Sequence, residues 1–159
     1  MRILELHTLT SAQIDDLQAL ISELDPEITV TAEMLERAAN ASETHLFAAV
    51  DFPGTEADEG PEESTRHIIG CASLCVLHSP TGRKASIEDV VVGSGFRGQG
   101  IGRALMEHII GFAQRELAPV DLNLTSRPER VAANELYRKM GLERRETNVY
   151  SLRINQYVG

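Results

Sequence analysis

The 159-residue sequence predicts an α/β chain, a single-domain mixed twisted sheet flanked by helices. Three observations predict it. Short apolar runs of strand character alternate with segments whose apolar residues recur at helical spacing. Connections between the strand-like runs come in two lengths, some fit for a hairpin and others long enough to hold a crossing helix, which makes the sheet mixed. Near the middle, Ile87-Glu88-Asp89-Val90-Val91-Val92 leads through Gly93, Gly95, Gly98, Gly100 and Gly102 into a helical pattern, the passage of a central strand into a helix.

The elements follow in order. Residues 2–8 alternate as a short strand. Thr10 or Ser11 then caps a helix whose Ile14, Leu17, Leu20, Ile21 and Leu24 share one side, and Asp25-Pro26 ends it because proline disfavours helical dihedrals in the residue before it. A second helix fits residues 31–41, with Met34, Leu35 and Ala38 on one side. Residues 45–51 and 67–78 read as neighbouring strands. Between them residues 52–65 are acidic and broken by Pro and Gly, a flexible loop within one domain spanning residues 1–159. After the turn Ser79-Pro80-Thr81-Gly82, residues 84–92 form the central strand. Residues 98–116 form a helix with Ile101, Leu105, Ile109 and Phe112 along one face, stopped by Pro119. A strand at 121–125, a helix at 130–140 closed by Gly141, and a last strand at 143–152 complete the chain.

Composition narrows the function. A net charge of −9 opposes a sequence-independent grip on nucleic acid, which depends on Lys and Arg neutralising phosphates, and suits a cationic substrate better. Cys71 and Cys75 lie on one face of their strand as core thiols, and no histidine completes a metal-ligand spacing beside them, so no metal is expected. Met1-Arg2-Ile3-Leu4-Glu5-Leu6 lacks the continuous apolar core of a signal peptide, and no run reaches transmembrane length. A cytoplasmic enzyme without membrane contact is the expected class.

The glycine passage carries the chemistry. The first N–H groups of a helix have no partner within it, and glycines let an anion approach them closely, so this turn reads as a phosphate site. Two parsings compete. Gly93-Ser94-Gly95-Phe96-Arg97-Gly98 matches the G-x-G-x-x-G fingerprint of a dinucleotide-binding oxidoreductase, and Asp121 follows at about the 20-residue distance of a ribose-binding acid. That fold needs a longer series of βαβ units than the chain after Gly98 can hold. Arg97-Gly98-Gln99-Gly100-Ile101-Gly102, an R-x-x-G-x-G segment with Arg103 at its helical end, is the other parsing. Taken with Ile87-Glu88-Asp89 before it and Ala132-Ala133-Asn134-Glu135-Leu136-Tyr137-Arg138-Lys139-Met140-Gly141-Leu142 after it, the sequence resembles the GNAT superfamily of N-acetyltransferases from about Leu46 onward.

The resemblance implies the GNAT (acyl-CoA N-acyltransferase) fold and an enzyme that moves an acetyl group from acetyl-coenzyme A (acetyl-CoA) to a primary amine by direct transfer in a ternary complex. The acceptor amine would be a small molecule or a peptide. Coenzyme A would lie between the strands at 84–92 and 121–125, along Val90, Val91 and Val92, with its phosphates on Arg97, Gly98, Gln99, Gly100, Ile101, Gly102 and Arg103. Asn134 would also contact it. A local bulge would turn the Val90 N–H toward the reacting carbonyl. Glu88 stands where many members carry a general base, and Tyr137, three residues after Asn134 on one helix face, matches the tyrosine that protonates the departing thiolate. Asp89, on the opposite face of a regular strand, is expected to be structural. The open edge of the strand at 143–152 favours a homodimer, with Asn148 and Tyr150 facing substrate. Beside this stand the oxidoreductase and a non-catalytic acyl-CoA sensor that keeps the loop without turnover.

Overall fold

The computed structural model of the protein describes residues 1–51 and 67–154, so the acidic stretch at 52–65 lies outside the described residues. In chain order the elements are β1 (Arg2–Leu6), α1 (Ser11–Leu24), α2 (Ala32–Asn40), β2 (Thr44–Val50), β3 (Ile68–Ser79), β4 (Gly82–Val92), α3 (Ile101–Phe112), β5 (Asp121–Leu124) and α4 (Val131–Lys139). The five strands pair in the order β1-β2-β3-β4-β5. The first three ladders are antiparallel and β4–β5 is parallel, so the sheet is mixed as expected. That topology removes the oxidoreductase parsing, which requires a doubly wound parallel sheet. Contacts divide the chain into two compact units: Met1–Arg127, which holds the sheet with α1, α2 and α3, and Pro128–Gly159, which holds α4.

Local chemistry starts both early helices. Thr10 closes a capping box on α1, its hydroxyl accepting from the Gln13 N–H at 3.3 Å while the Gln13 side chain accepts from the Thr10 N–H at 2.9 Å. Thr31 caps α2 through the Met34 N–H at 3.2 Å. Leu17 and Leu20 of α1 with Leu35 and Ala39 of α2 pack on Leu46, Ala48, Cys71 and Val91 of the sheet. Each fully buried Leu is worth roughly 1.5–3 kcal/mol, which holds α1 and α2 on this face. The inward side of α2 is turned from the expected one, since Met34 is 51 % exposed while Ala39 is buried. Met34 and Ala39 flank Leu35 in the helical wheel, and packing against β2 chooses between them.

α3 covers the opposite face. Gly70 alternates with Cys71, and a Cβ on Gly70 would stand 3.0 Å from the Val91 carbonyl and 3.3 Å from Ile101 Cγ2. The bare glycine therefore lets α3 close onto the strands, burying Ile101, Leu105, Met106 and Ile109. The helix starts at Ile101 and not at residue 98, because Gly98 and Gly100 hold φ of 78° and 82°, outside the helical region. It ends at Phe112, and a π turn over Ala113–Leu117 replaces its expected last turn.

α4 ends as the sequence predicts. Gly141 takes φ 89°, its N–H donates to the Arg138 carbonyl at 3.1 Å, and the Leu142 N–H donates to the Tyr137 carbonyl at 3.1 Å. The strand expected at 143–152 does not form: these described residues are exposed and belong to no ladder. Alternation marks a segment that could be a strand, but only a paired neighbour makes it one.

Candidate active site

β4 is the strand on which the candidate residues meet. Its face alternation runs through Ala85 and Ile87, both buried, and then breaks at Glu88 and Asp89, which are both exposed. The β3–β4 register explains the break. It passes from Ser73↔Glu88 to Cys71↔Val91, so Ala72 faces two residues, Asp89 and Val90. This is a β-bulge, and Asp89 absorbs it with φ 54°, a left-handed conformation that Asp tolerates better than most residues. The extra residue puts Glu88 and Val91 on one face, where a regular strand would separate them. Asp89 is thus no regular strand residue with its side chain opposite Glu88, as the alternation suggested. Its carboxyl is held above its ordinary value, first by partial burial and then by the neighbouring Glu88 charge.

The bulge lies where β4 parts from β5. The parallel ladder covers Lys84↔Asp121, Ala85↔Leu122, Ser86↔Asn123 and Ile87↔Leu124. Beyond Ile87, β4 runs on to Val92 paired with β3, while β5 ends at Leu124. Val90, Val91 and Val92 therefore lie beyond the β4–β5 ladder and pair with no residue of β5, Val91 facing the core and Val90 and Val92 half-buried.

The glycine turn follows β4 directly and leads into α3. Gly100 caps α3, and helix bonding begins with the Ala104 N–H on the Gly100 carbonyl at 3.0 Å. The N–H groups of Ile101, Gly102 and Arg103 then have no acceptor within the helix. A Cβ built on Gly98 or Gly100 would meet nothing within 4 Å, so the approach is open on the protein side. This is a fit for a phosphate, with positive φ requiring glycine at both positions. The two arginines beside it hold carboxylates. Arg97 donates from Nε to the Val92 carbonyl and from a terminal nitrogen to Glu23, both at 3.0 Å, and Arg103 donates to Glu107 at 2.9 Å. Gln99 turns back to the Gly95 carbonyl at 3.4 Å.

Glu23 also accepts from the Ser94 N–H at 2.9 Å, tying α1 to the turn. Sequence reasoning did not find it. A glutamate on the polar side of a helix carries no mark of a partner some seventy residues along the chain.

A second set of side chains came to light only through register. Thr44 pairs with Cys75, Cys75 with Ser86, and Ser86 with Asn123, so one row of small polar residues crosses β2, β3, β4 and β5 on a single face. Thr44 hydrogen-bonds the Cys75 sulfur, and Ser86 Oγ donates to the Glu88 carboxylate. The Cys75 thiol is pushed up by burial, against the Thr44 bond, with the Glu88 and Asp89 charges adding to the rise. The four residues of the row come from four different strands.

In the second unit, Asn134 and Tyr137 lie three apart on α4, and Tyr137 is 6 % exposed. Burial raises the Tyr137 phenol above its ordinary value, and the Arg130 charge opposes the rise, so the proton is held firmly at neutral pH.

A family model described as the acetyltransferase (GNAT) family matches residues 14–142. Streptothricin acetyltransferase from Streptomyces lavendulae is 33% identical over 95 residues, which are 55% of this chain and 50% of that protein. The chain thus spans half the length of this relative. Among solved structures, an acetyltransferase from Trypanosoma brucei aligns with a TM-score of 0.64 at 20% identity, covering 98% of this chain and 99% of its own. An aminoglycoside acetyltransferase from an uncultured soil metagenomic sample, solved with trehalose, aligns at 0.69 with 19% identity, covering 98% and 96%. At these identities the likeness is one of fold.

Proposed function

The chain belongs to the acetyltransferase (GNAT) family, and on that premise we propose that it transfers an acetyl group from acetyl-CoA directly to a primary amine in a ternary complex. The observation that carries this reading is the parting of β4 from β5 beside a helix entered through two positive-φ glycines. Diverging strands leave room for an extended pantetheine arm, and the N–H groups at the start of α3 suit a pyrophosphate. When bound, acetyl-CoA supplies the thioester carbonyl and the thiolate leaving group.

The chain's own residues are assigned as follows. Glu88, exposed on the bulged strand, removes a proton from the acceptor ammonium directly or through water. On the match of its motif, Tyr137 gives the proton that the thiolate requires, a role for which a phenol that keeps its proton at neutral pH is suited. Arg97 and Arg103 leave Glu23 and Glu107 to add charge beside the phosphates. The acceptor is a small-molecule or peptide amine.

Thermal-shift measurements against acetyl-CoA, NAD and NADP, followed by thiol release with a panel of amines, test the reading. Stabilisation by acetyl-CoA alone, with amine-dependent thiol release, is the expected result. Stabilisation without release from any amine would make the chain a sensor. Gly100→Val should weaken acetyl-CoA binding by at least tenfold, since a valine at φ 82° is strained and fills the approach to the N–H groups. Tyr137→Phe should lower turnover while leaving that affinity intact.

We further propose a homodimer, supported by the exposed Val149, Tyr150, Leu152 and Ile154, which are 74% to 88% accessible. Light scattering over a dilution series gives the mass directly, and a monomer with full activity at micromolar concentration would defeat an obligate pair.

A further inference from the structure

Among the described residues, two buried side-chain polar atoms have no hydrogen-bond partner, Arg83 Nε and Ser126 Oγ. They differ in what else their side chains do. Arg83, near the start of β4, is anchored by another atom of the same group, a terminal nitrogen that donates to the Leu117 carbonyl at 2.6 Å. Ser126 has only its hydroxyl. A buried hydroxyl with nothing to bond is destabilising, and serine has local alternatives, since its side chain commonly bonds the backbone a few residues away. Ser126 takes none of them.

Exposure keeps the alternation of β5 past Leu124: Asp121, Asn123 and Thr125 are exposed, while Leu122, Leu124 and Ser126 are half-buried. Ser126 continues the inward side. Leu122 and Leu124 pair with Ala85 and Ile87, both buried, and Ile87 pairs in turn with Leu74, which shares its face with Gly70 beneath α3. The hydroxyl thus follows two leucines on the α3 face, where a third apolar residue would bury more apolar surface and leave no polar atom unmet. Packing does not explain the serine. Register shows what lies across from it: the β4–β5 ladder ends at Ile87↔Leu124, so Ser126 and Asp89 each stand two residues past the last rung and do not pair. Ser126 therefore follows β5 where the bulge interrupts β4.

We propose that Ser126 binds the pantetheine arm of acetyl-CoA, its hydroxyl hydrogen-bonding an amide of the arm where the two strands part. This rests on the acetyl-transfer reading above and adds a binding residue to that site. The arm would run from the start of α3 between β4 and β5, and all three elements belong with Ser126 to the unit Met1–Arg127, so the placement needs nothing from α4. An amide both donates and accepts, so a hydroxyl can meet it either way. Because Ser126 Oγ is already out of water, a ligand that reaches it gains the bond without first displacing solvent. The free protein carries the unmet group, and the complex satisfies it.

Ser126→Ala tests this with a signature that a structural serine would not give. Its melting temperature should stay level or rise, because the unmet hydroxyl is gone, while calorimetry should show coenzyme A binding about three- to tenfold more weakly, the scale of one hydrogen bond. ADP, which has the pyrophosphate and no pantetheine arm, should bind as tightly as before. In turnover, the KM for acetyl-CoA should rise with kcat held within about twofold. Unchanged coenzyme A affinity, an equal loss for ADP, a fall in kcat with KM unchanged, or a lowered melting temperature would each overturn the inference while leaving acetyl transfer standing. Weaker coenzyme A binding in the variant, with no thiol release from any amine by the wild-type protein, would instead support Ser126 as a binding residue and overturn acetyl transfer. No coenzyme A binding by the wild-type protein would overturn both.

Discussion

Cys71 and Cys75 stand four residues apart on one face of β3 and live in different chemistry. Cys71 is 1% exposed beneath α1 and α2, and burial pushes its thiol up to about 12, with the Asp89 charge adding to the rise. Cys75 is half-buried, bonded to Thr44, and feels Glu88 and Asp89. The strand and its alternation are the same at both positions. What differs is the cover of α1 and α2, and that divides one sheet face into a half that holds the fold together and a half that lies outside the buried core.

The division predicts that substitutions in the two halves fail in different ways. The largest effect on stability belongs to the covered half: Leu17→Ala removes a fully buried side chain of α1 and should cost about 2–5 kcal/mol in denaturant melts. A loss below 1 kcal/mol would mean that the covering helix is not what stabilises this face. Glu88→Gln, in the other half, should lower turnover about 10²–10⁴-fold. It should leave stability within about 0.5 kcal/mol, because Glu88 is exposed. It should also alter the acidic limb of the pH–rate profile, and a wild-type profile would assign proton removal to solvent or another group.

The thiols sharpen the comparison through pH. The folded protein keeps the Cys71 proton up to about 12, whereas an unfolded thiol loses it near its ordinary value of 9.0. The unfolded chain thus binds fewer protons across that window, so stability is fully present below pH 9 and falls as the pH rises toward 12, by up to about 1.4 kcal/mol per unit from this group. Urea melts at pH 8 and pH 10 should show the decline, and Cys71→Val should reduce it. An undiminished decline in that variant would assign it to other groups. The smallest expected difference is in alkylation: iodoacetamide should modify Cys75 in the folded protein and reach Cys71 only on unfolding, so equal rates in the native state would contradict the division.

Much of the fold is legible in the sequence. Thr10, one of two candidate caps, announced α1, the Pro after Asp25 set its end, and Gly141 closed α4. These are signals a few residues long, decided by capping and dihedral preference. The glycine turn was legible for the same reason, since Gly98 and Gly100 adopt backbone angles that other residues avoid. The expected start of α3 at residue 98 moves to Ile101, because helical apolar spacing does not mark the three residues over which the positive-φ glycines keep the backbone out of the helix. The expected strand at 143–152 failed on a different ground: its alternation is local, but a ladder partner is not.

The site divides along the same line. That a strand carrying Glu88 and Asp89 leads through a glycine turn into a helix follows from the order of residues alone, as does the family to which that order belongs. Only the tertiary structure could decide the face each carboxylate takes, because the bulge opposite Ala72 shifts the phase of β4 by one residue. Only it could bring Glu23 to Arg97, or set Thr44, Cys75, Ser86 and Asn123 in one row. Caps, turns and glycine angles are settled within a few residues of chain. Register, burial and cross-strand neighbours are settled by which distant segments pack together, and chain order alone does not encode them at short range.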